Sequence, residues 1–410
     1  EPISDIVVNR FCMIRFLGGE YMLNFNYYNP ANIYFGRNEE QRIGELINKW
    51  SEAKKVLILY SGDYFEKLGI AKTIHEELSK YEIQYFENGQ VVPNPALSLI
   101  NELSEFVKEK GIDFILAVGG GSVIDTAKAT ALGSMYEGNT WDFFTGDKEV
   151  TEALPIGAIS TVASSGSEMS PATIISNAEH KLGVESEIII PKFSIVNPEF
   201  TIKLPKYYTG VGTADILSHL LERYFSEVDH TDITDYLLEG AIRATLVNGV
   251  KLMGDLENYD LRAEMSLTAI IAHNNSLELG REPDWGSHRI EHELSGQYGV
   301  VHGEGMVVVT LAWMKYVSRF SPKQFVKYGI RVFEIDPVIY TEEEIIDLAI
   351  EKTKEFFVKL GMKTTLTELE IDDTHFETMA DRATKGDMQT VGHLKSLNSS
   401  DIVEILKLAI

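Results

Sequence analysis

The run Phe114-Ile-Leu-Ala-Val-Gly-Gly-Gly-Ser122 decides how the first half of this chain folds. Its first five residues are apolar, which is typical of a strand buried on both faces of a sheet. The glycines let the backbone turn sharply toward an anion, and a helix predicted over 123–133 adds unpaired N–H donors. Ser122 and Asp125 have the spacing of a capping box for that helix. The run predicts a cradle for a dinucleotide pyrophosphate, although a tight strand-to-helix turn accounts for the same residues.

Around this run, short apolar segments alternate with longer amphipathic ones from Ala31 to Pro198. Strands are predicted at 56–60, 83–86, 114–118 and 154–159, and helices at 71–81, 95–108 and 123–133. This alternation favours a parallel sheet covered by helices on both faces. Between 173 and 196 the segments are strand-like and the links short, at Asn177, Gly183 and Pro191. That stretch therefore predicts antiparallel ribbons.

After Pro205 the pattern becomes helical, with predicted helices at 235–247, 264–277, 307–317 and 342–360. We therefore predict an α/β domain over 22–204 and an all-helical domain over 205–410. Residues 1–21 show no clear periodicity and are expected to be an extension without a functional role, the alternative being an ordered N-terminal arm. The longest apolar run, 306–314, is too short to span a membrane and is expected to be a buried helix.

Composition narrows the possible partners. The chain has 62 acidic residues against 37 Lys and Arg, a net charge of −25. Because this charge repels nucleic acid and anionic lipid, neither is an expected partner, although a local basic pocket for a small phosphorylated ligand stays open. A single cysteine, Cys12, excludes an intramolecular disulfide and a cysteine zinc cluster. With no apolar stretch typical of a signal peptide at the start, a cytoplasmic location is expected.

A second loop, Ser160-Thr-Val-Ala-Ser-Ser-Gly-Ser-Glu168, follows the strand predicted at 154–159 and is rich in hydroxyl groups and small side chains. Such residues can line a ligand crevice at the carboxyl ends of parallel strands. A solvated loop explains them almost as well.

The second half contains a candidate metal site. Asp215 and His219 are four residues apart, which places them on one helix face, and His288, His292 and His302 follow later. One carboxylate with imidazoles suits Fe²⁺ or Zn²⁺. Taken singly, Asp215 with His219 is more typical of a surface helix pair, and His288 with His292 is more typical of half-exposed residues on an amphipathic helix. No His-Glu-x-x-His motif supports a zinc protease.

Together the motifs resemble the iron-containing (group III) alcohol dehydrogenase family, in particular its butanol dehydrogenase-like branch. The resemblance runs from about residue 22 to the C-terminus. The matching residues, in chain order, are Pro93-Asn94-Pro95, Gly119 to Ser122 with Asp125, Thr161 to Glu168, Gly212-Thr-Ala-Asp215 with His219, Asp284-Trp285 with His288, His292-Glu-Leu-Ser295, and His302-Gly303.

The resemblance implies an N-terminal dinucleotide-binding α/β domain, a helical metal-binding domain and a cleft between them. It implies that the metal ligands are Asp215, His219, His288 and His302. It also implies that His292 lies near the nicotinamide and helps to move the proton. The cofactor-binding positions it implies are Asn94, Gly119, Gly120, Gly121, Ser122, Asp125, Thr161, Ser164 and Lys181.

One position departs from the branch. The loop after the first strand usually reads Gly-Gly-Gly-Ser there, which suits the 2′-phosphate of NADP, whereas this chain has Ser61-Gly62-Asp63-Tyr64. The Asp63 carboxylate could accept a hydrogen bond from the ribose 2′-hydroxyl and would repel a 2′-phosphate. NAD is therefore favoured over NADP, unless Asp63 faces solvent or caps the next helix.

The expected activity is that of a metal-dependent alcohol dehydrogenase or aldehyde reductase. It would transfer a hydride between NAD(P)(H) and a small primary alcohol or aldehyde, with Fe²⁺ or Zn²⁺ bound. The alternatives are a glycerol dehydrogenase-like polyol oxidoreductase and a catalytically inactive metal- and nucleotide-binding protein. A homodimer is expected by resemblance, with the strand near residues 33–35 as a candidate pairing edge.

Overall fold

The computed structural model describes residues 21–410. The extension predicted at 1–21, apart from Tyr21, and the single cysteine lie outside the described residues. The strands are β1 (Asn32–Phe35), β2 (Lys55–Leu59), β3 (Gln84–Asn88), β4 (Phe114–Gly119), β5 (Ile156–Ser160), β6 (Ala172–Asn177), β7 (His180–Glu185) and β8 (Phe193–Val196).

Six α-helices accompany these strands: α1 (Ile43–Asn48), α2 (Tyr64–Lys67), α3 (Ile70–Lys80), α4 (Leu97–Lys110), α5 (Gly121–Gly133) and α6 (Trp141–Thr145). The rest of the chain is mostly helical, as predicted. Its helices are α7 (Lys206–Tyr224), α8 (Asp232–Gly254), α9 (Tyr259–His273), α10 (Gly286–Tyr298), α11 (His302–Val317), α12 (Pro322–Phe333), α13 (Glu342–Lys359), α14 (Phe376–Thr384) and α15 (Ser399–Leu408).

The predicted parallel sheet is confirmed. Six parallel strands lie in the order β1-β8-β5-β4-β2-β3. Successive side chains of a strand point to opposite faces. In β2, Val56 and Ile58 accordingly join one apolar cluster, whereas Leu57 and Leu59 join another. The continuous apolar runs of the sequence thus follow from burial on both faces of the sheet.

Three local predictions are wrong. The stretch 173–196 does contain an antiparallel hairpin, β6 and β7, but Gly183 lies within β7 opposite Ile174 rather than at a link. The last segment, β8, is inserted between β1 and β5 and is parallel to both. All four β8 residues are buried, as an interior strand requires. The capping box is also absent, because Gly120 is the N-cap of α5 and the cap has no side-chain hydrogen bond.

Strand order reverses beside β4. The chain runs outward from β2 to β3, then crosses back so that β4 lies on the other side of β2. A crevice at the carboxyl ends of the strands is expected at such a reversal. Gly119 at the end of β4 pairs in register with Ser160 at the end of β5. The glycine turn and the hydroxyl-rich loop therefore leave the sheet side by side.

The helical part has one continuous apolar core, formed by α7 to α15. The helices predicted at 235–247 and 307–317 lie within α8 and α11, and the apolar run 306–314 is buried as expected. The helix predicted at 264–277 ends earlier, at His273, because Asn275 adopts a left-handed conformation with φ of 64°. Within residues 21–410 no helix combines the length and apolar character that crossing a bilayer requires.

Candidate active site

A cleft of about 1360 Å³ lies between the carboxyl edge of the sheet and helices α7, α10 and α11. Every predicted site residue except Asp63 lines it. The lining includes Asn94, Gly119, Gly120, Gly121, Ser122, Asp125, Thr161, Ser164, Lys181, Asp215, His219, His288, His292 and His302. Residues about 200 positions apart in the sequence are thus brought to one cavity.

Asp63 is the predicted residue that does not line the cleft, although its neighbours Ser61 and Tyr64 do. Its side chain is 74% exposed and forms an ion pair of 2.6 Å with Lys67. A hydrogen bond from Lys67 lowers the pKa of the Asp63 carboxyl group. The structure gives no geometric support for a contact between this carboxylate and a ribose.

The glycine turn owes its composition to close packing. A Cβ atom added to Gly121 would lie 2.4 Å from the Ser165 hydroxyl oxygen, and one added to Gly119 would lie 2.4 Å from a Val123 methyl carbon. Side chains at these positions would therefore separate the turn from its neighbours. Gly121 opens α5, whose first N–H groups have no partner inside the helix. These donors lie at the cleft, where an anion could accept from them.

Asp125 is half-buried beside the turn and stabilises the neighbouring loop. Its Oδ1 accepts from the Ser167 hydroxyl at 2.6 Å, and its Oδ2 accepts from the Ile174 N–H at 3.2 Å. Lys128, which sequence reasoning missed, is fully buried one turn later and donates to the carbonyl groups of Ser167, Ser170 and Ala172. Asp125 and Lys128 together fix the hydroxyl-rich loop against α5.

Three of the four predicted metal ligands meet in the cleft. One donor atom from each of Asp215, His288 and His302 lies within 4.8 Å of the others. Asp215 Oδ1 and His302 Nε2 are 3.7 Å apart. Two ligands bonded at about 2.1 Å to a tetrahedral ion would be separated by about 3.4 Å, so this spacing suits a divalent ion.

Unpartnered atoms at the same place point to a missing ligand. Asp215 Oδ1 and His288 Nε2 are buried, and neither has a hydrogen-bond partner among residues 21–410. Buried polar atoms are nearly always paired. A carboxylate oxygen and two imidazole nitrogens are donors that Fe²⁺ and Zn²⁺ both accept. The residues therefore fit a bound divalent ion.

His219 is outside the group of three. Its Nδ1 lies 3.0 Å from the backbone carbonyl oxygen of Asp215, and its ring centroid is 4.7 Å from that of His288. A histidine that sequence reasoning did not single out, His273, packs against it with a centroid distance of 4.3 Å. The role of His219 as a fourth ligand stays a prediction.

Two buried glutamates hold the histidines that are predicted as metal ligands, His288 and His302. Glu222 Oε1 accepts from His288 Nδ1 at 2.8 Å, and Glu291 pairs with His302 Nδ1. These bonds place the proton on Nδ1 and leave the lone pair on Nε2, which faces the cleft. Burial by itself raises the pKa of Glu222, but the hydrogen bonds from His288 and Ser287 and the electrostatic attraction of His288 together outweigh this, and the net shift is downward. Burial also raises the pKa of Glu291, but His302 and Lys181 together lower it further, so the net shift is again downward.

Sequence reasoning missed both glutamates for a geometric reason. Each follows a predicted ligand by three residues on the same helix, Glu222 after His219 and Glu291 after His288. Each, however, contacts a histidine of a different helix. The i, i+3 spacing could have drawn attention to them, but only the packing of α7, α10 and α11 shows which histidine each one holds.

His292 and Lys181 lie beside the three predicted ligands. The His292 ring centroid is 5.9 Å from that of His302, and its buried Nδ1 has no partner among residues 21–410. Lys181 Nζ is 3.5 Å from His302 Nδ1 and 3.6 Å from Glu291 Oε2. Burial, followed by the positive charge of Lys181, keeps the pKa of His292 well below its ordinary value. The neutral form of the His292 imidazole is therefore favoured at pH 7.

Comparison with known proteins matches this fold and site to one class. A family profile described as "Iron-containing alcohol dehydrogenase" matches residues 30–198, and its C-terminal counterpart, "Fe-containing alcohol dehydrogenase family, C-terminal", matches residues 208–410. The chain therefore belongs to the iron-containing alcohol dehydrogenase family. It is an oxidoreductase of the alcohol dehydrogenase and aldehyde reductase type.

Particular relatives are similar over almost their whole length. The probable NADH-dependent butanol dehydrogenase 1 of Bacillus subtilis is 38% identical over 388 residues, covering 94% of this chain and 99% of that protein. The NADPH-dependent aldehyde reductase YqhD of Escherichia coli is 30% identical, covering 90% and 95%. The crystal structure of NADH-dependent butanol dehydrogenase A from Thermotoga maritima is 36% identical, with a TM-score of 0.90 and coverage of 95% and 99%.

Proposed function

We propose that this chain oxidises small primary alcohols, or reduces the matching aldehydes, with NAD(H) as the redox partner and Fe²⁺ or Zn²⁺ bound in the cleft. One observation supports this above all others. The same cavity is lined by a glycine turn suited to a phosphate and by three donor groups within 4.8 Å of one another. Substrate and cofactor can therefore meet there.

Asp215, His288 and His302 would hold the metal, with His219 proposed as a fourth ligand. A divalent ion in this position supplies Lewis-acid chemistry to the oxygen of an alcohol or carbonyl group. Glu222 and Glu291 hold the imidazole rings of His288 and His302 so that their Nε2 lone pairs stay turned toward the cleft.

The turn at Gly119 to Ser122 would hold the cofactor pyrophosphate through backbone N–H groups at the start of α5. Thr161, Ser164, Lys181 and Asn94 would line the rest of the cofactor path. The proposal of NAD draws its support from the relatives named NADH-dependent, including butanol dehydrogenase A of Clostridium acetobutylicum, which is 37% identical. It does not rest on Asp63.

His292 would move the proton. Its neutral state and unpartnered Nδ1 at the edge of the cleft suit a group that accepts a proton from a substrate hydroxyl or an intervening water. Replacement by Asn is expected to lower kcat about 10²- to 10⁴-fold without loss of bound metal.

The test is an absorbance assay at the nicotinamide wavelength, with butanol and NAD or with butanal and NADH. Exhaustive chelation should abolish turnover, and Fe²⁺ or Zn²⁺ should restore it. Asp215→Ala should lose metal and turnover together. Undiminished activity in the metal-free protein would refute the metal-dependent reaction, and activity on glycerol alone would favour the polyol alternative. Binding of metal and NADH without turnover on any alcohol would favour the inactive alternative.

The domain division, the location and the oligomeric state are proposals as well. We propose that two domains divide near residues 204–205, that the protein acts in the cytoplasm, and that it forms a homodimer through the β1 edge of the sheet. β1 pairs with β8 on one side, and the segment before it exposes Tyr21, Phe25 and Tyr28. Sedimentation of the full chain tests the proposed homodimer, since a monomer at micromolar concentration would contradict the dimer.

A further inference from the structure

We propose that Ser164 positions the Asp215 carboxylate for the metal, so that the loop beside the glycine turn also sets the geometry of the metal site. The inference rests on the proposed metal-dependent function and assigns Ser164 a role other than cofactor contact. Ser164 acts through Asp215 and is therefore a positioning residue.

The primary observation is one hydrogen bond across the cleft. The Ser164 hydroxyl donates to Asp215 Oδ2 at 2.5 Å. The other carboxylate oxygen, Oδ1, has no partner within residues 21–410 and lies 3.7 Å from His302 Nε2. The serine thus occupies one oxygen and leaves the other directed at the ligand histidines. Without the hydroxyl, a buried Oδ2 would lose its partner and the carboxylate would be free to rotate.

The loop that carries Ser164 is rigidly attached to the helical part. A Cβ atom on Gly212 would lie 2.3 Å from the Ala163 carbonyl oxygen, so α7 and the loop backbone are in close contact. The backbone carbonyl oxygen of the following residue, Ser165, lies 2.5 Å from His273 Nδ1. Gly166 is in the left-handed region, with φ of 63°. These contacts hold Ser164 in place, so that its hydroxyl can orient Asp215.

The same loop touches the cofactor turn. A Cβ atom on Gly121 would meet the Ser165 hydroxyl, and one on Gly120 would lie 3.1 Å from a Val162 methyl carbon. The residues on both sides of Ser164 thus contact the turn where the pyrophosphate would bind, while Ser164 itself bonds Asp215. If Ser164 mainly contacts the cofactor, removing its hydroxyl should weaken NADH binding more. If it mainly positions Asp215, removing its hydroxyl should weaken metal binding more.

The experiment compares Ser164→Ala, Ser164→Gly and Ser164→Thr with the wild-type full chain. Zn²⁺ affinity is measured by chelator competition, NADH affinity by fluorescence on the metal-free protein, and ligand geometry from the visible absorption of the Co²⁺-loaded protein. We expect the Zn²⁺ dissociation constant to rise at least about tenfold in the Ala and Gly variants, as for other groups that hold metal ligands. The Co²⁺ spectrum should change, NADH affinity should fall by a smaller factor than Zn²⁺ affinity, and Thr should restore Zn²⁺ affinity.

Ser218→Ala is the matched control. It removes a buried hydroxyl from α7 whose hydrogen bond goes to the Ala214 carbonyl of its own helix, and it should leave Zn²⁺ affinity unchanged. Two hydroxyl-free variants keep the test valid if one folds poorly. The inference is overturned if the Zn²⁺ loss does not exceed the NADH loss, or if Zn²⁺ affinity is unchanged. A wild-type chain that binds neither Zn²⁺ nor NADH would refute the proposed function itself.

Discussion

Replacing Glu222 by Gln should weaken metal binding without unfolding the protein. Glu222 is 3% exposed. Its Oε1 accepts from the Ser287 hydroxyl at 2.7 Å, the His288 N–H at 2.9 Å and His288 Nδ1 at 2.8 Å. A glutamine oxygen can accept the same three bonds, so the substitution removes the charge and keeps the acceptor. The effect on the metal comes from the bond to Nδ1 alone.

The magnitude follows from the strength of that bond. A hydrogen bond to a charged group contributes about 1.5–3 kcal/mol, against about 0.5–1.5 kcal/mol between neutral groups. The loss of roughly 1–1.5 kcal/mol corresponds to about a tenfold rise in the Zn²⁺ dissociation constant. Glu222→Ala should do more, since three buried donors lose their acceptor, and should also lower the free energy of unfolding by about 3–5 kcal/mol.

The assay is competition between metal-free protein and a fluorescent zinc chelator at pH 7. Glu239→Gln is the matched control, because Glu239 is also a buried carboxylate but accepts from the Tyr224 hydroxyl at 3.0 Å, away from the ligands. If Glu222→Gln binds Zn²⁺ as tightly as the wild type and the control, the carboxylate does not act on His288 and the account of the ligand geometry is wrong.

Three further outcomes are expected. Gly121→Ala should raise the NADH dissociation constant about 5- to 100-fold, because the added Cβ overpacks against Ser165; fluorescence titration giving wild-type affinity would contradict this. Asp63→Gly should raise kcat/KM for NADPH less than about tenfold, because Lys67 already neutralises the exposed carboxylate; a larger gain would reinstate Asp63 as the determinant of cofactor choice. Burial lowers the pKa of Lys128 to about 8 from 10.5, so below pH 8 the folded state bears the full cost of this buried charge, and the cost is lost as the pH rises to 10.5. Relative to Lys128→Met, the wild type should gain up to about 3 kcal/mol in urea unfolding as pH rises from 8 to 10.5; a pH-independent difference would exclude the shift.

Much of this protein could be predicted from local pattern. Buried parallel strands appear in the sequence as continuous apolar runs, which is why β2, β4 and β5 could be predicted within two residues of their observed bounds. The failure at β8 has the same origin. Four buried residues after a short link are compatible with a ribbon or with an interior strand, and only the vacant position between β1 and β5 decides between them.

Some features of the site could likewise be predicted from the sequence, and others depended on tertiary packing. Residue types and spacing, read through a family resemblance, predicted Asp215, His288 and His302 as metal ligands, and the structure brings their donor atoms within 4.8 Å of one another. Tertiary packing alone decided that Glu222 and Glu291 hold these histidines, that Ser164 faces Asp215, and that Asp63 turns outward to Lys67. The physical reason is the distance along the chain over which each kind of interaction acts. Helical and strand periodicity act over a few neighbouring residues, whereas a hydrogen bond between elements depends on where the backbone places both partners.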